Sequence, residues 1–67
     1  MCLAAVYLGK DSPQPLMRDI DHIKFRNDGV EAVSLLGEER FIPGKVTEID
    51  FSTSSVFLQE TPGRDKA

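Results

Sequence analysis

The sequence predicts an all-β fold, on two observations and one constraint of size. Short runs rich in β-branched and aromatic residues recur along the chain, and such side chains suit a pleated, half-buried surface. Turn-forming clusters separate the runs at close intervals, at Gly9 to Pro15, Asn27-Asp28-Gly29, Gly37-Glu38-Glu39 and Ser52 to Ser55. In a chain of 67 residues, five or six such strands are most economically arranged as a small barrel or a strongly bent antiparallel sheet, because closure hides the strand edges.

Taken in order, Cys2 to Leu8 is a first strand of small and β-favouring residues, among them Ala4, Ala5, Val6 and Tyr7. The segment Gly9 to Pro15 breaks it. Pro13 and Pro15 stand two apart there, and neither helix nor central strand survives that spacing. A second strand begins at Leu16 or Met17 and runs to Phe25. Its alternation is imperfect: Ile23 and Phe25 share one parity, while Ile20 falls on the other. A bulge near Asp21 would return Ile20 to the core side. A short helical turn is the alternative, since Leu16, Ile20 and Ile23 also fit a period near 3.6; the strand is the reading adopted.

Asn27-Asp28-Gly29 gives the clearest hairpin signal, because Asp-Gly turns use the freedom of Gly at positive φ. A third strand follows at Val30 to Leu36, with Val33 and Leu35 on one face. The run Arg40 to Phe51 is interrupted by Pro43-Gly44, which predicts a bend or a sheet edge. A last strand covers Ser55 to Gln59. The organisation expected is one domain over residues 1–60 and a flexible tail over residues 61–67, which carries Pro62, Gly63 and a high density of charge.

Composition narrows the function. The hydrophobic fraction of 40% supports a core and excludes a disordered chain. A domain this short buries only about 60% of its unfolded surface, so association into a dimer is a natural supplement. With 11 acidic and 8 basic residues the net charge is −3, which repels phosphate backbones and argues against nucleic-acid binding. The first apolar run is too short to span a bilayer and lacks the features of a signal peptide. A cytoplasmic location is expected, and a lone thiol suits a reducing compartment.

The chemistry concentrates at the N-terminus. Cys2 is the only cysteine, so it cannot form an internal disulfide. If Met1 is removed, the Cys2 amine and thiolate close a five-membered chelate ring on a metal. If Met1 is retained, its amine, the Cys2 amide nitrogen and the thiolate chelate through fused rings. Planar nitrogen and sulfur donors suit Ni(II) or Cu(II). The bland alternative is a small side chain at a tolerant terminus. Elsewhere, Asp19, Asp21 and His22 form either a titratable cluster or a solvated strand face. The pairs Glu38/Glu39 and Glu48/Asp50 are not placed like two acids in a cleft. No phosphate loop or Ser-His-Asp set is present, so no enzymatic activity is expected.

Three segments carry a family resemblance. The opening Met1-Cys2-Leu3-Ala4-Ala5-Val6-Tyr7-Leu8 resembles the Met-Cys-Met-Ala-Lys-Val opening of the CooT-type nickel-binding proteins. Val33-Ser34-Leu35-Leu36-Gly37-Glu38-Glu39 is similar to their Thr-Leu-Phe-Gly/Asp-Glu-Glu segment. Gly44 with Val46, Glu48-Ile49-Asp50-Phe51 and Val56-Phe57-Leu58 looks like their last hairpin. The resemblance covers residues 1 to about 60 and implies a small SH3-like barrel that forms a homodimer. It also implies an accessory role in nickel insertion into carbon monoxide dehydrogenase, with Ni(II) held by Cys2 and nearby N-terminal nitrogens, Met1 included, close to the dimer interface. Leu3 stands where the family usually has methionine, removing a soft ligand, and Ala5 stands where it usually has lysine, removing a charge.

The reading adopted is a cytoplasmic, homodimeric Ni(II)-binding accessory protein that stores, delivers or senses nickel for a client enzyme, able to take Cu(II) in vitro. Its rival is a metal-free module that binds protein or RNA through loops and exposed edges, here Pro43-Gly44 and the loop Asp11 to Gln14. RNA binding would need a basic, aromatic-bearing face assembled from Arg18, Lys24, Arg26 and Arg40 around Phe25.

Overall fold

The structure is a computed structural model that describes residues 3–60. Met1, Cys2 and the tail 61–67 lie outside the described residues. Six strands form: β1 (Ala4–Leu8), β2 (Met17–Phe25), β3 (Gly29–Ser34), β4 (Glu39–Pro43), β5 (Lys45–Asp50) and β6 (Ser55–Gln59). They make one sheet in the order β4-β3-β2-β1-β6-β5. All pairings are antiparallel except β1 with β6, which run parallel in register from Ala5↔Ser55 to Leu8↔Leu58. The all-β class is as expected, and the sheet takes the strongly bent form rather than a closed ladder.

Topology dictates the bending. β4 and β5 lie at opposite edges of the sheet, yet only Gly44 separates them in sequence. One residue spans that gap only if the sheet rolls until its edges approach each other. Gly44 meets the demand with φ 141°, in a region that disfavours any side chain. Its N–H donates to the Asp28 carbonyl at 3.0 Å, tying the corner to the β2–β3 turn. A Cβ there would lie 2.8 Å from the Gln59 carbonyl oxygen. The run Arg40 to Phe51, expected to bend at Pro43-Gly44, is thus two strands joined at a corner.

β2 carries two irregularities that make its burial repeat every three residues. Between Ala4↔Ile20 and Val6↔Met17, β1 advances two residues while β2 advances three, and Asp19 takes φ 54°. Between Ile20 and His22, β3 advances only one residue, so Asp21 is extra. The bulge expected near Asp21 is therefore present. Each inserted residue resets the inward parity, which brings Met17, Ile20 and Ile23 to the same side. A similar slip between Val46 and Glu48 in β5 leaves Thr47 extra.

The rolled sheet encloses a core of Val6, Met17, Ile20, Val30, Ala32, Ile42, Val56 and Leu58, with Ala4, Leu8, Ile23 and Val46 packed against it. Two expectations for β3 need correction. The strand ends at Ser34 rather than Leu36, and its inward face is Val30, Ala32 and Ser34, while Leu35 and Leu36 lie exposed in the following turn. That turn closes because the Ser34 N–H donates to the Glu38 carbonyl and Gly37 N–H to the Ser34 carbonyl, each at 2.9 Å. Gly29 is required for space rather than for positive φ: a Cβ there would collide with the Ile42 carbonyl and sit 2.7 Å from Phe41 Cζ. Phe41 thus packs over the bare backbone of Gly29.

Gly44→Ala combines an unfavourable φ with a backbone collision, and the expected loss is about 2–3 kcal/mol. Thermal unfolding followed by circular dichroism should show Tm falling by about 10 °C or more. Gly37→Ala, where φ is 91° but the space is open, should cost clearly less. Equal losses for the two variants would contradict the corner's role.

Candidate functional site

The parallel pairing of β1 with β6 decides what surrounds the start of the chain. Because both strands run the same way, the beginning of β1 meets the beginning of β6 and the turn that precedes it. The Ala5 N–H donates to the Ser54 carbonyl at 3.0 Å, and Ala5 pairs with Ser55. Across the other side, Ala4 pairs with Ile20 of β2. The first described residues are therefore clamped at one end of the sheet, beside the β5–β6 turn.

That turn spans residues 51–54 and is fastened from within. Asp50 Oδ1 accepts from the Ser52 N–H at 2.9 Å and from Ser52 Oγ at 2.6 Å. Thr53 Oγ1 donates to Ser55 Oγ at 3.0 Å, and Ser54 sits at φ 56°. The Ser52 hydroxyl and backbone bonds hold the Asp50 carboxyl below the usual aspartate range. With these polar groups turned upon each other, Phe51 is left 85% exposed and Ile49 41% exposed. Ala4, Ile49, Phe51 and Val56 line a shallow, largely apolar pocket of about 220 Å³ at this end.

Of the residues predicted to act, Cys2 and Met1 lie outside the described residues. His22, Asp19 and Asp21 are all exposed. Asp19 uses its backbone carbonyl to accept from the Leu35 N–H at 2.8 Å. Among the described residues, no three His, Cys, Asp or Glu side chains converge as a cation site. Glu38 and Glu39 are likewise exposed, Glu38 in the β3–β4 turn and Glu39 opening β4. Ile49 and Phe51 were not singled out from sequence as functional. The available signal was an aromatic residue opening an otherwise hydroxyl-rich turn, Phe51-Ser52-Thr53-Ser54, where turn formation itself asks for no apolar side chain.

The outer face of the β1–β6 pair is already occupied by its own side chains. Tyr7 and Phe57 stack with ring centroids 5.4 Å apart. Lys10 lies 5.8 Å from the Phe57 centroid and is bonded to Glu48 at 2.5 Å, which raises its pKa. Arg26 pairs with Glu31 at 2.6 Å, and that bond holds the Glu31 carboxyl below its usual range. Of the basic residues considered for RNA contact, Arg26 is thus paired with an acidic neighbour.

The fold defines a class: a very small protein built on one rolled six-stranded β-sheet among the described residues. The comparisons with known proteins narrow this. The profile of the CooT family, described as CO dehydrogenase accessory protein CooT, matches residues 1–59, and the chain belongs to that family. An uncharacterized protein of Methanothermobacter thermautotrophicus is 29% identical over 59 residues, 88% of this chain and 89% of that protein. The crystal structure of a candidate CooT from Carboxydothermus hydrogenoformans superposes with a TM-score of 0.74 at 14% identity, over 90% of this chain and 98% of that one. The family description is that of an accessory protein to an enzyme.

Asp50 gives a pH-dependent prediction. Its folded pKa lies below the unfolded value, so its contribution is complete above about pH 4 and is lost as pH falls through the folded pKa. Asp50→Asn should therefore lower Tm at pH 6 by more than at pH 3. A Tm deficit that is the same at both pH values would show that the carboxylate's charge is not what fastens the turn.

Proposed function

We propose that this protein binds Ni(II) as cargo, holding it with the Cys2 thiolate and N-terminal nitrogens, Met1 included where it is retained, at a homodimer interface. The role is storage, delivery or sensing for a nickel enzyme, with carbon monoxide dehydrogenase maturation as the process the family description supports. The observation that carries this reading is the family match, which begins at residue 1 and so includes Cys2, the one thiol in the chain. Connectivity adds to it. Two residues of chain reach about 7 Å at most, so Cys2 is tethered to the end of the sheet where Ala4 and Ala5 are clamped. We place the protein in the cytoplasm, and the unit that does the work is residues 1–60, with the tail 61–67 outside it.

The donor set fits the cargo. A thiolate and adjacent backbone or terminal nitrogens form small chelate rings in a plane, the arrangement Ni(II) and Cu(II) favour among divalent ions. Binding displaces the thiol proton, whose ordinary pKa is about 8.5, so affinity falls as pH is lowered. One chain offers one thiolate and few nitrogens, and a second copy across a two-fold axis doubles the set. Leu3 and Ala5 add neither donor nor charge, which leaves Cys2 as the side chain on which the site depends.

Nickel titration followed by native mass spectrometry tests this on the full chain. The parent should bind Ni(II) as a dimer, and Cys2→Ala should weaken binding at least about 100-fold, the scale expected when a metal ligand is removed rather than an outer partner. Nickel uptake by Cys2→Ala equal to the parent's would end the proposal.

A further inference from the structure

β4 is an edge strand that pairs with β3 alone, and the register shows where its backbone groups point. In an antiparallel pair, opposite residues alternate between bonding each other and turning their N–H and C=O groups away. The Gly44 N–H donates to the Asp28 carbonyl, and the Ser34 N–H to the Glu38 carbonyl. These bonds flank the pairs Gly29↔Pro43 and Val33↔Glu39, so both pairs are of the turned-away kind, as is Glu31↔Phe41 between them. The N–H and C=O groups of Glu39 and Phe41 therefore point outward from the edge, and no hydrogen bond among the described residues engages them. Pro43 adds only a carbonyl. β5, the other edge, carries the extra residue Thr47, and a bulge spoils an edge for pairing. β4 keeps an unbroken register.

The side chains along this edge alternate too. Arg40 shares the parity of the buried Ile42, and its Nη1 donates to the Leu16 carbonyl at 3.4 Å. It makes no ion pair among the described residues. Phe41 takes the opposite parity and is 46% exposed. Just before β4, Leu36 is 92% exposed; with Leu16 and Leu35 it lines a crease of about 630 Å³ that Arg40 borders.

We propose that the β4 edge takes up an extended segment of the enzyme this protein serves, as an added strand with a carboxylate against Arg40 and an apolar side chain against Phe41. The partner's identity rests on the accessory-protein reading; the strand chemistry does not. Open main-chain donors and acceptors in a row are matched by another extended backbone. Because side chains of a strand alternate between faces, the added segment meets Arg40 with one parity and Phe41 with the other. A guanidinium without an ion pair is answered by a carboxylate, which it holds with two parallel bonds. Glu39 shares the parity of Phe41 and repels an acid there, which confines the acids to the Arg40 side. A second copy of β4 fits this edge poorly. Paired antiparallel about Phe41, it would set Arg40 opposite Ile42 and Glu39 opposite Pro43, with neither charge answered. Asp19 and Glu38 also line the crease, so the attraction is local to Arg40 and weakens as salt is raised.

Amide NMR on the full chain tests the edge with two capped peptides, Thr-Val-Asp-Val-Glu-Val-Thr and the same sequence with lysine at both acidic positions. In the free protein the Phe41 amide should exchange with solvent faster than those of Arg40 and Ile42, which bond β3. The acidic peptide should protect the Phe41 amide and bind at least about tenfold more tightly than the lysine peptide. Arg40→Glu should reverse that preference. Phe41→Pro removes the outward N–H and leaves the β3–β4 ladder intact; it should bind about fivefold more weakly than Phe41→Ala, which keeps that N–H. Far-ultraviolet dichroism checks that both variants fold. Absence of binding, equal affinity for the two peptides, a preference unchanged by Arg40→Glu, or equal binding by Phe41→Pro and Phe41→Ala would each overturn the proposal. Nickel-free carbon monoxide dehydrogenase is the second probe: it should bind the parent and lose affinity for Arg40→Glu. Equal binding to both would overturn the edge as its dock and leave the accessory reading standing. Binding to neither, with the peptide results as expected, would refute that enzyme as the partner and leave the strand site standing.

Discussion

Gly44 joins two strands that the sheet order places at opposite edges, and the architecture follows from satisfying that one covalent link. A flat six-stranded sheet would hold its outer strands roughly 24 Å apart, at about 4.8 Å per step over five steps. A single residue cannot cross such a distance, so the sheet must roll. Rolling turns one face inward and creates an interior for eight buried apolar residues, a small core that a chain of this length could not otherwise enclose. The bulges in β2 serve the same end, since inserted residues increase local twist and bend the strand.

The same topology places the start of β1 in the interior of the sheet. The first and last strands become neighbours in the middle of the sheet and run parallel, so the chain's entry is stitched to the β5–β6 turn rather than left at an edge. The same end gathers the apolar, weakly charged surface of Ile49 and Phe51. The family membership gives this geometry its biological direction, that of an accessory protein to an enzyme.

Much of the fold was legible in the sequence. Strand-forming runs and turn clusters pointed to the all-β class, the Pro43-Gly44 interruption to the corner, and the misplaced parity of Ile20 to the bulge at Asp21. What the sequence did not reveal was which face of β3 is buried: Val33 and Leu35 are as apolar as Val30 and Ala32, and only the rolled geometry separates them. The role of Gly29 was equally hidden, because close packing of Phe41 and the β4 backbone over it is a tertiary fact. The parallel β1–β6 pairing joins residues some fifty positions apart and leaves no local signal. At the site, Cys2 was conspicuous as a lone thiol beside a terminal amine, whereas Phe51 became conspicuous only once its turn was seen to bind its own polar groups and leave the ring outside.

Nickel K-edge X-ray absorption on the nickel-loaded protein is the decisive experiment for Cys2 ligation, because it reports the elements bound to the metal without reference to affinity. Ligation by Cys2 and N-terminal nitrogens requires a nearest shell containing sulfur together with nitrogen, and loss of the sulfur contribution in Cys2→Ser. A parent shell of nitrogen and oxygen alone, with sulfur absent, would contradict it.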